Sequence, residues 1–264
     1  MLMKEFLSGQ IGLDQAAQEI TRPTELSDDP GESLARLWNL VIYALVGIPD
    51  SQSDIMLLLQ EIEQQPGVDL TDKPKTAALD PDTEHLWRDL PGFRMMWSDA
   101  SWWYYLNQWR EVLEEYAGEF RQTQIVRIAS AEARFLVAGL VNNMVHGFLR
   151  LCDTLEDEDA ALDMELPAVR EWLVIAGSRL MDGVRSGFQH PRLRSNQDYQ
   201  LEITRGVTDP SQENRRVLWQ GAGDVSQERW DFWKERLASL QTDASLESET
   251  RQTAREGLQA ISML

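Results

Sequence analysis

Asn142, His146 and Arg150 recur at every fourth residue in the stretch from Phe135 to Cys152, whose remaining members except Asn143 are apolar or glycine. Side chains four apart on a helix share a face, so this spacing predicts a polar line through an apolar interior. Ser130 and Arg134 extend the line backward. A histidine in such a setting is suited to proton transfer near neutral pH, and His146 is the first choice for any acid–base or hydrogen-bonding role. Asn142 is its expected catalytic companion, with Asn143 and Arg150 as substrate-binding neighbours. The plainer alternatives are a solvent-facing edge or a satisfied internal network, in which each polar member has a partner. His85 and His190 fall in segments that read as loops and carry less weight.

A second anomaly lies in "WSDASWWYYLNQW", residues 97 to 109, with four tryptophans and two tyrosines. At 100° per residue, Trp102, Tyr105, Leu106, Trp109, Val112, Leu113 and Tyr116 fall on one buried stripe. Trp103 and Tyr104 fall on the opposite side. The preceding segment, with Trp87, Phe93 and Trp97, is expected to fold back over them. Otherwise they form an aromatic patch for a ligand or a partner, and they join the candidate substrate-binding residues.

Other chemistries find little support. The single cysteine, Cys152, excludes an internal disulfide and a cysteine-based zinc site. Its apolar setting in "GFLRLCDTL" predicts an inert buried thiol. "DDPGE" at 28 to 32 matches the D-D-x-x-E pattern of class I terpene cyclases, but Pro30 makes it a helix start rather than a set of converging metal ligands. "EDED" at 156 to 159 reads as a solvated tip between helices. Gly-Ala-Gly at 221 to 223 precedes no lysine, and no nucleophile elbow or H-E-x-x-H motif occurs. Neither a cofactor nor a metal is expected.

The elements that must position these residues are helical almost throughout. Asp29 is placed to cap a helix through "PGESLARLWNLVIYALVG", with Pro30 at its first position and Glu32 completing a capping box. The run Val41 to Val46 is apolar on every side, which predicts a central helix. Ser51 is placed to cap a second helix, closed by Pro66 and Gly67. Residues 66 to 84 read as a surface loop. One long helix is expected from about Ile125 to Leu155, another through "LPAVREWLVIAGSRLMDGV", and two more close the chain. "DYQLEITRG" is the only stretch that reads as a short strand. The expected fold is all-α, a multi-helix bundle forming a single domain over residues 1–264. Val41, Leu45, Trp109, Leu140, Val145, Trp172 and Trp230 are its expected core.

The chain carries a formal charge of −19 and ten tryptophans, with 42% hydrophobic residues. Such a charge repels phosphate backbones and anionic lipid surfaces, so nucleic acid and membranes are not expected as partners. Only four of the 25 basic residues are lysine; the rest are arginines, suited to planar pairing with the acidic excess. The start, "MLMKEFLSGQ", lacks the pattern of a signal or transit peptide. A soluble, cytoplasmic protein is expected, with a homodimer compatible with the sequence and an apolar small molecule as the partner of interest.

The block "LWQGAGDVSQERWDFWKERL" near the end of the chain resembles the closing signature of a family of fungal proteins of unknown function. That family combines a Trp, a short Gly-containing link, a Ser and E-R-W-x-F-W-K-x-R. "LDQAAQEI", "LWNLVIYA", the W-x-D-L-P-G-F link at 87 to 93 and "EWLVIAG" are similar as well. The resemblance implies an intracellular, mostly helical fungal protein, with relatives expected beside natural-product biosynthesis genes. The block itself reads as a packing signature: Ser226 caps, Trp230, Trp233, Leu237 and Leu240 share a face, and Glu228, Arg229, Lys234 and Arg236 are available to pair elsewhere in the fold. Two functions remain open. One is a cofactor-independent enzyme that cyclises or isomerises an apolar natural-product intermediate. The other is a non-catalytic helical protein-interaction module.

Overall fold

The structure, a computed structural model, describes residues 2–70, 72–76, 79, 82–101, 118–209 and 215–264, without the side chains of 118–122. Trp103, Tyr104 and Trp109 lie outside the described residues. Those described form α-helices with short 3-10 turns and no strand beyond an isolated antiparallel bridge between Asp69 and His85. The protein is all-α. It divides into two compact units, Met1–Arg110 and Glu111–Leu264, and each is described by itself.

The first unit contains α1 (Leu2–Leu7), α2 (Leu13–Glu25), α3 (Pro30–Gly47), α4 (Gln52–Glu63) and α5 (Phe93–Ser101). α2 packs against α1, α3 and α4, and α3 also against α5. Asp29 caps α3 by accepting the Glu32 backbone N–H at 3.0 Å, with Pro30 in the first turn. The Glu32 carboxylate turns instead to Arg36 at 2.5 Å. Ser51 occupies the N-cap position of α4 without a side-chain cap bond; the buried Gln52 amide donates to Leu45 O at 2.9 Å. Leu34, Trp38, Val41 and Leu45 form the fully buried face of α3. The all-round apolar sequence does not make α3 buried on every side, because Leu40 and Tyr43 remain 45% and 77% exposed. Only one stripe of α3 is fully covered by its neighbours.

Trp87 and Phe93 pack edge-on against Trp38, with ring centroids 6.5 and 5.3 Å away. The Trp38 indole donates to Pro91 O at 2.7 Å, and that of Trp87 to Glu25 at 3.1 Å. To seat them, the W-x-D-L-P-G-F link takes left-handed conformations at Trp87, Asp89 and Leu90, with φ of 72°, 59° and 48°. Each such residue costs ~1–2 kcal/mol. The buried Trp87 and Leu90 side chains offset that strain.

The second unit contains α6 (Gly118–Ala138), α7 (Met144–Leu155), α8 (Leu162–Arg185), α9 (Asn196–Thr204), α10 (Gln227–Leu240) and α11 (Ser248–Ser262). α8 is its axis and packs against α6, α7, α10 and α11. Leu166, Val169, Trp172, Leu173, Ala176 and Leu180 on α8 are buried. At Gly147 on α7 the contact is so close that a Cβ would stand 2.8 Å from the Trp172 ring and 2.9 Å from Leu180.

Three sequence expectations are corrected in this unit. The long helix expected from Ile125 to Leu155 is two helices. Gly139 adopts φ of 75° and the Leu140 N–H bonds to Phe135 O at 3.1 Å, the geometry that closes a helix with a left-handed glycine. Leu140 and Val145, expected in the core, flank this break and are only half-buried. "DYQLEITRG" contributes to helix α9 rather than to a strand. Ser195 and Asp198 form a reciprocal capping box that satisfies both backbone donors at its start, which β-propensity alone does not reveal. Val41, Leu45, Trp172 and Trp230 are buried as expected.

Candidate functional site

The hairpin of α6 and α7 folds about Gly139, and Glu132 and His146 lie equally far along the chain on either side of it. Its closure brings the His146 Nδ1 to 2.9 Å from Glu132 Oε2. The Glu132 side chain is fully buried, whereas that of His146 keeps 25% of its surface exposed. Asn143, buried at the start of α7, donates from Nδ2 to the Glu132 backbone carbonyl at 2.9 Å. The carboxylate therefore sits behind the imidazole, and the amide fixes the backbone that carries it. A buried carboxylate accepting from Nδ1–H orients a histidine and stabilises the positive charge the ring gains when its other nitrogen takes a proton. A histidine backed by a carboxylate in this way can serve as a general acid–base group, and the same pairing also satisfies a buried carboxylate in a purely structural network.

The sequence-predicted residues fare differently. His146 and Asn143 meet at Glu132. Asn142 is exposed in the turn between the helices; the expected line from Ser130 through Arg150 is broken there, so Asn142 shares no helical face with His146. Arg150 remains on α7 one turn beyond His146 and is buried. Trp103 and Tyr104 lie outside the described residues. Glu132 is the group that sequence reasoning missed. Its signal was a lone carboxylate within "ASAEARF", but its pairing depends on reading Gly139 as a helix end.

A second polar cluster explains the E-R-W-x-F-W block. Arg229 and Trp233, one turn apart on α10, converge on the fully buried Glu156. Arg229 Nε and Nη2 reach its two oxygens at 2.6 and 2.8 Å, and the Trp233 indole adds a bond of 2.8 Å. Arg229 Nη1 also donates to Leu193 O and Gly223 O, both at 2.8 Å. One guanidinium thus ties α7, α10 and the segment between α8 and α10 together. Arg216 pairs with Asp153 beside it. This corrects half of the reading of 156 to 159 as a solvated tip: Glu158 and Asp159 are exposed, but Glu156 and Asp157 are buried, with Glu156 held by Arg229 and Trp233 rather than by water.

Cys152 Sγ is 3.2 Å from Arg229 Nη2. Burial, then the neighbouring Glu156 carboxylate, pushes its thiol up to about 12, so it is protonated at neutral pH. The inert thiol expected from sequence agrees with this setting. In the first unit, the carboxylates of "DDPGE" do not converge. Asp28 is exposed, Asp29 caps α3 and bonds Thr76, and Glu32 pairs with Arg36. Among the described residues, no group of three or more His, Cys, Asp or Glu side chains is arranged to hold a metal. No single helix there is long and apolar enough to cross a membrane.

No curated protein and no solved structure matches the chain. A family model described as a protein of unknown function (DUF3632) matches residues 38–237, from Trp38 in α3 to Leu237 in α10. That span includes the W-x-D-L-P-G-F link, the α6–α7 hairpin and all three members of the Arg229–Glu156–Trp233 cluster, and the chain belongs to this family of proteins of unknown function, DUF3632.

Proposed function

We propose that the protein is a cofactor-independent enzyme that isomerises or cyclises an apolar natural-product intermediate by proton transfer at His146, in a fungal secondary-metabolite pathway. The observation that carries this reading is the 2.9 Å contact between His146 Nδ1 and the buried Glu132 carboxylate. Burying a carboxylate costs several kcal/mol unless it is paired, and this one is held against a partly exposed imidazole. Asn143 and Arg150 serve as polar neighbours of the reacting group, and the protein works in the cytoplasm without nucleic acid or membrane partners.

The alternative, a helical protein-interaction module, draws its support from the first unit, where Leu40 and Tyr43 of α3 are exposed. Deleting the gene in its host and complementing with His146→Asn separates the two. The asparagine amide of that variant can still donate to Glu132 but offers no ring nitrogen. Acid–base catalysis by a positioned side chain contributes ~10²–10⁴-fold. Loss of one metabolite, restored by the wild type and not by His146→Asn, is the expected result. Full restoration by the variant would leave the interaction module as the reading.

A further inference from the structure

We infer that the first unit carries a binding site for a zwitterion of about dipeptide length with apolar side chains, on the exposed side of the W-x-D-L-P-G-F link. A cavity of about 700 Å³ lies there, lined by residues 82–85, by the link from Arg88 to Gly92 and by Arg94, Met95, Ser98 and Asp99 of α5. Small-molecule sites span ~300–1,000 Å³. This site is independent of His146, which belongs to the other unit.

The left-handed link sorts its side chains by burial. Leu86, Trp87, Leu90 and Phe93 are buried, whereas Arg88, Asp89 and Arg94 between and beside them are exposed along the cavity. The lining carries both signs: Arg88 and Arg94 on one side of the ledger, Asp82, Glu84, Asp89 and Asp99 on the other. Among the described residues none of these six side chains forms an ion pair or a hydrogen bond. Opposite charges that share a concavity without pairing are held apart by the backbone that carries them. They leave two poles for a ligand with both charges. A simple anion would meet the carboxylates, and a simple cation the guanidiniums.

The helix sets the spacing of the poles. Arg94 stands in the first turn of α5 and Asp99 five residues on, which at 1.5 Å per residue places their backbones ~7.5 Å apart along the axis. An extended two-residue peptide spans ~7 Å and a single residue ~3.5 Å, so the longer zwitterion matches. Leu90, Pro91 and Met95 also line the cavity and give apolar side chains a surface to cover. The planar guanidiniums suit the terminal carboxylate, whose two oxygens a fork of N–H donors can bind together. Asp99 and Glu84 accept from the terminal ammonium.

Calorimetric titration of the intact protein with leucyl-leucine, its N-acetyl form and its C-terminal amide tests the site. The free dipeptide should bind saturably, and each blocked form, lacking one charge, about tenfold more weakly or worse. Two double variants then assign the poles. Arg88→Gln with Arg94→Gln should bind the free dipeptide and its amide alike, and Glu84→Gln with Asp99→Asn the free dipeptide and its acetyl form alike. All four side chains are exposed, so both variants should melt as the wild type does. No saturable binding of leucyl-leucine, equal binding of the three forms, or a preference that survives in either double variant would overturn the proposal.

Discussion

In the first unit the buried polar side chains among the described residues are Thr21, Thr24, Gln52 and Ser101, all neutral; in the second they include Glu132, Arg150, Glu156, Asp157, Glu165 and Arg229. Both units are helical and both bury large aromatic rings, so burial of apolar area alone does not distinguish them. The first is held by Trp38 and the rings around it, where the Trp38 and Trp87 indole N–H groups each find an oxygen. The second places carboxylates where water cannot reach and answers them with specific partners. Glu165 illustrates the pattern: its two oxygens accept from the Ala161 N–H and the Thr154 hydroxyl, closing the start of α8. An apolar core tolerates approximate packing, whereas a buried charge is stable only when its own partner is in place. The second unit is therefore the one whose geometry is most narrowly specified, and it is also where the candidate site lies.

The largest effect should come from breaking the Arg229–Glu156 pair. Arg229→Ala strands a fully buried carboxylate and three backbone carbonyls, and should destabilise the second unit by ~3–5 kcal/mol, measured by chemical denaturation. Replacing both charges with apolar residues (Glu156→Leu with Arg229→Met) should cost much less than the single change. Equal losses would mean that the pair acts by packing rather than by charge. Whether the first unit melts together with the second in Arg229→Ala tests the single domain expected from the sequence.

A smaller effect is expected at the candidate site. His146→Phe leaves the Glu132 carboxylate without its imidazole and should lower stability by ~1–3 kcal/mol. His146→Asn should recover most of that loss in thermal melts. In the first unit the volume-conserving change Leu45→Met, at a fully buried position, should cost less than ~1.5 kcal/mol. A larger loss there than at His146 would erase the contrast between the two cores.

Cys152 supplies a pH test within the second unit. Its folded-state pKa is raised from 9.0 to about 12, so the contribution tied to the neutral thiol is complete below pH 9. It is lost as pH rises from there toward 12, because the unfolded chain ionises first. Cys152→Ala should show a shallower fall in stability over that window, and the native thiol should resist alkylation at pH 8 until the unit opens. The smallest effect belongs to the first unit. The Thr76 hydroxyl and then the Glu32 N–H hold the Asp29 carboxyl below its ordinary 3.8. The α3 cap is therefore complete above that value and weakens as pH falls through the lower folded-state one. Asp29→Asn should flatten the acid limb slightly, and an unchanged limb would show the cap to be idle.

Much of the fold was legible because helices announce themselves locally. The Asp29 cap, the stop at Gly47, the Ser226 cap and the buried faces of α3, α8 and α10 all follow from residue types within one or two turns. His146 was legible too, as a lone histidine in an apolar stretch. What periodicity misjudged was punctuation. Gly139 within an apolar run reads as a tolerated glycine, since ending a helix there depends on a left-handed conformation and on the contacts of the next helix. Ser195 and Asp198 outweighed the β-branched residues that follow them, for the same reason.

Residue types and short spacings were enough to establish an all-α protein, the acidic charge, the Asp29 and Ser226 caps and an inert cysteine, because each depends on composition or on neighbours a few residues away. Folding in three dimensions was needed to show that Glu132 faces His146 across a turn, that Asn143 and not Asn142 joins them, and that Glu156 is buried beneath Arg229 and Trp233. Those pairings join residues 11 to 77 positions apart. A carboxylate in a sequence looks the same whether it is solvated or buried. Its role is set by which cation or ring the rest of the chain brings within about 3 Å, where a charge-assisted hydrogen bond outweighs the loss of water.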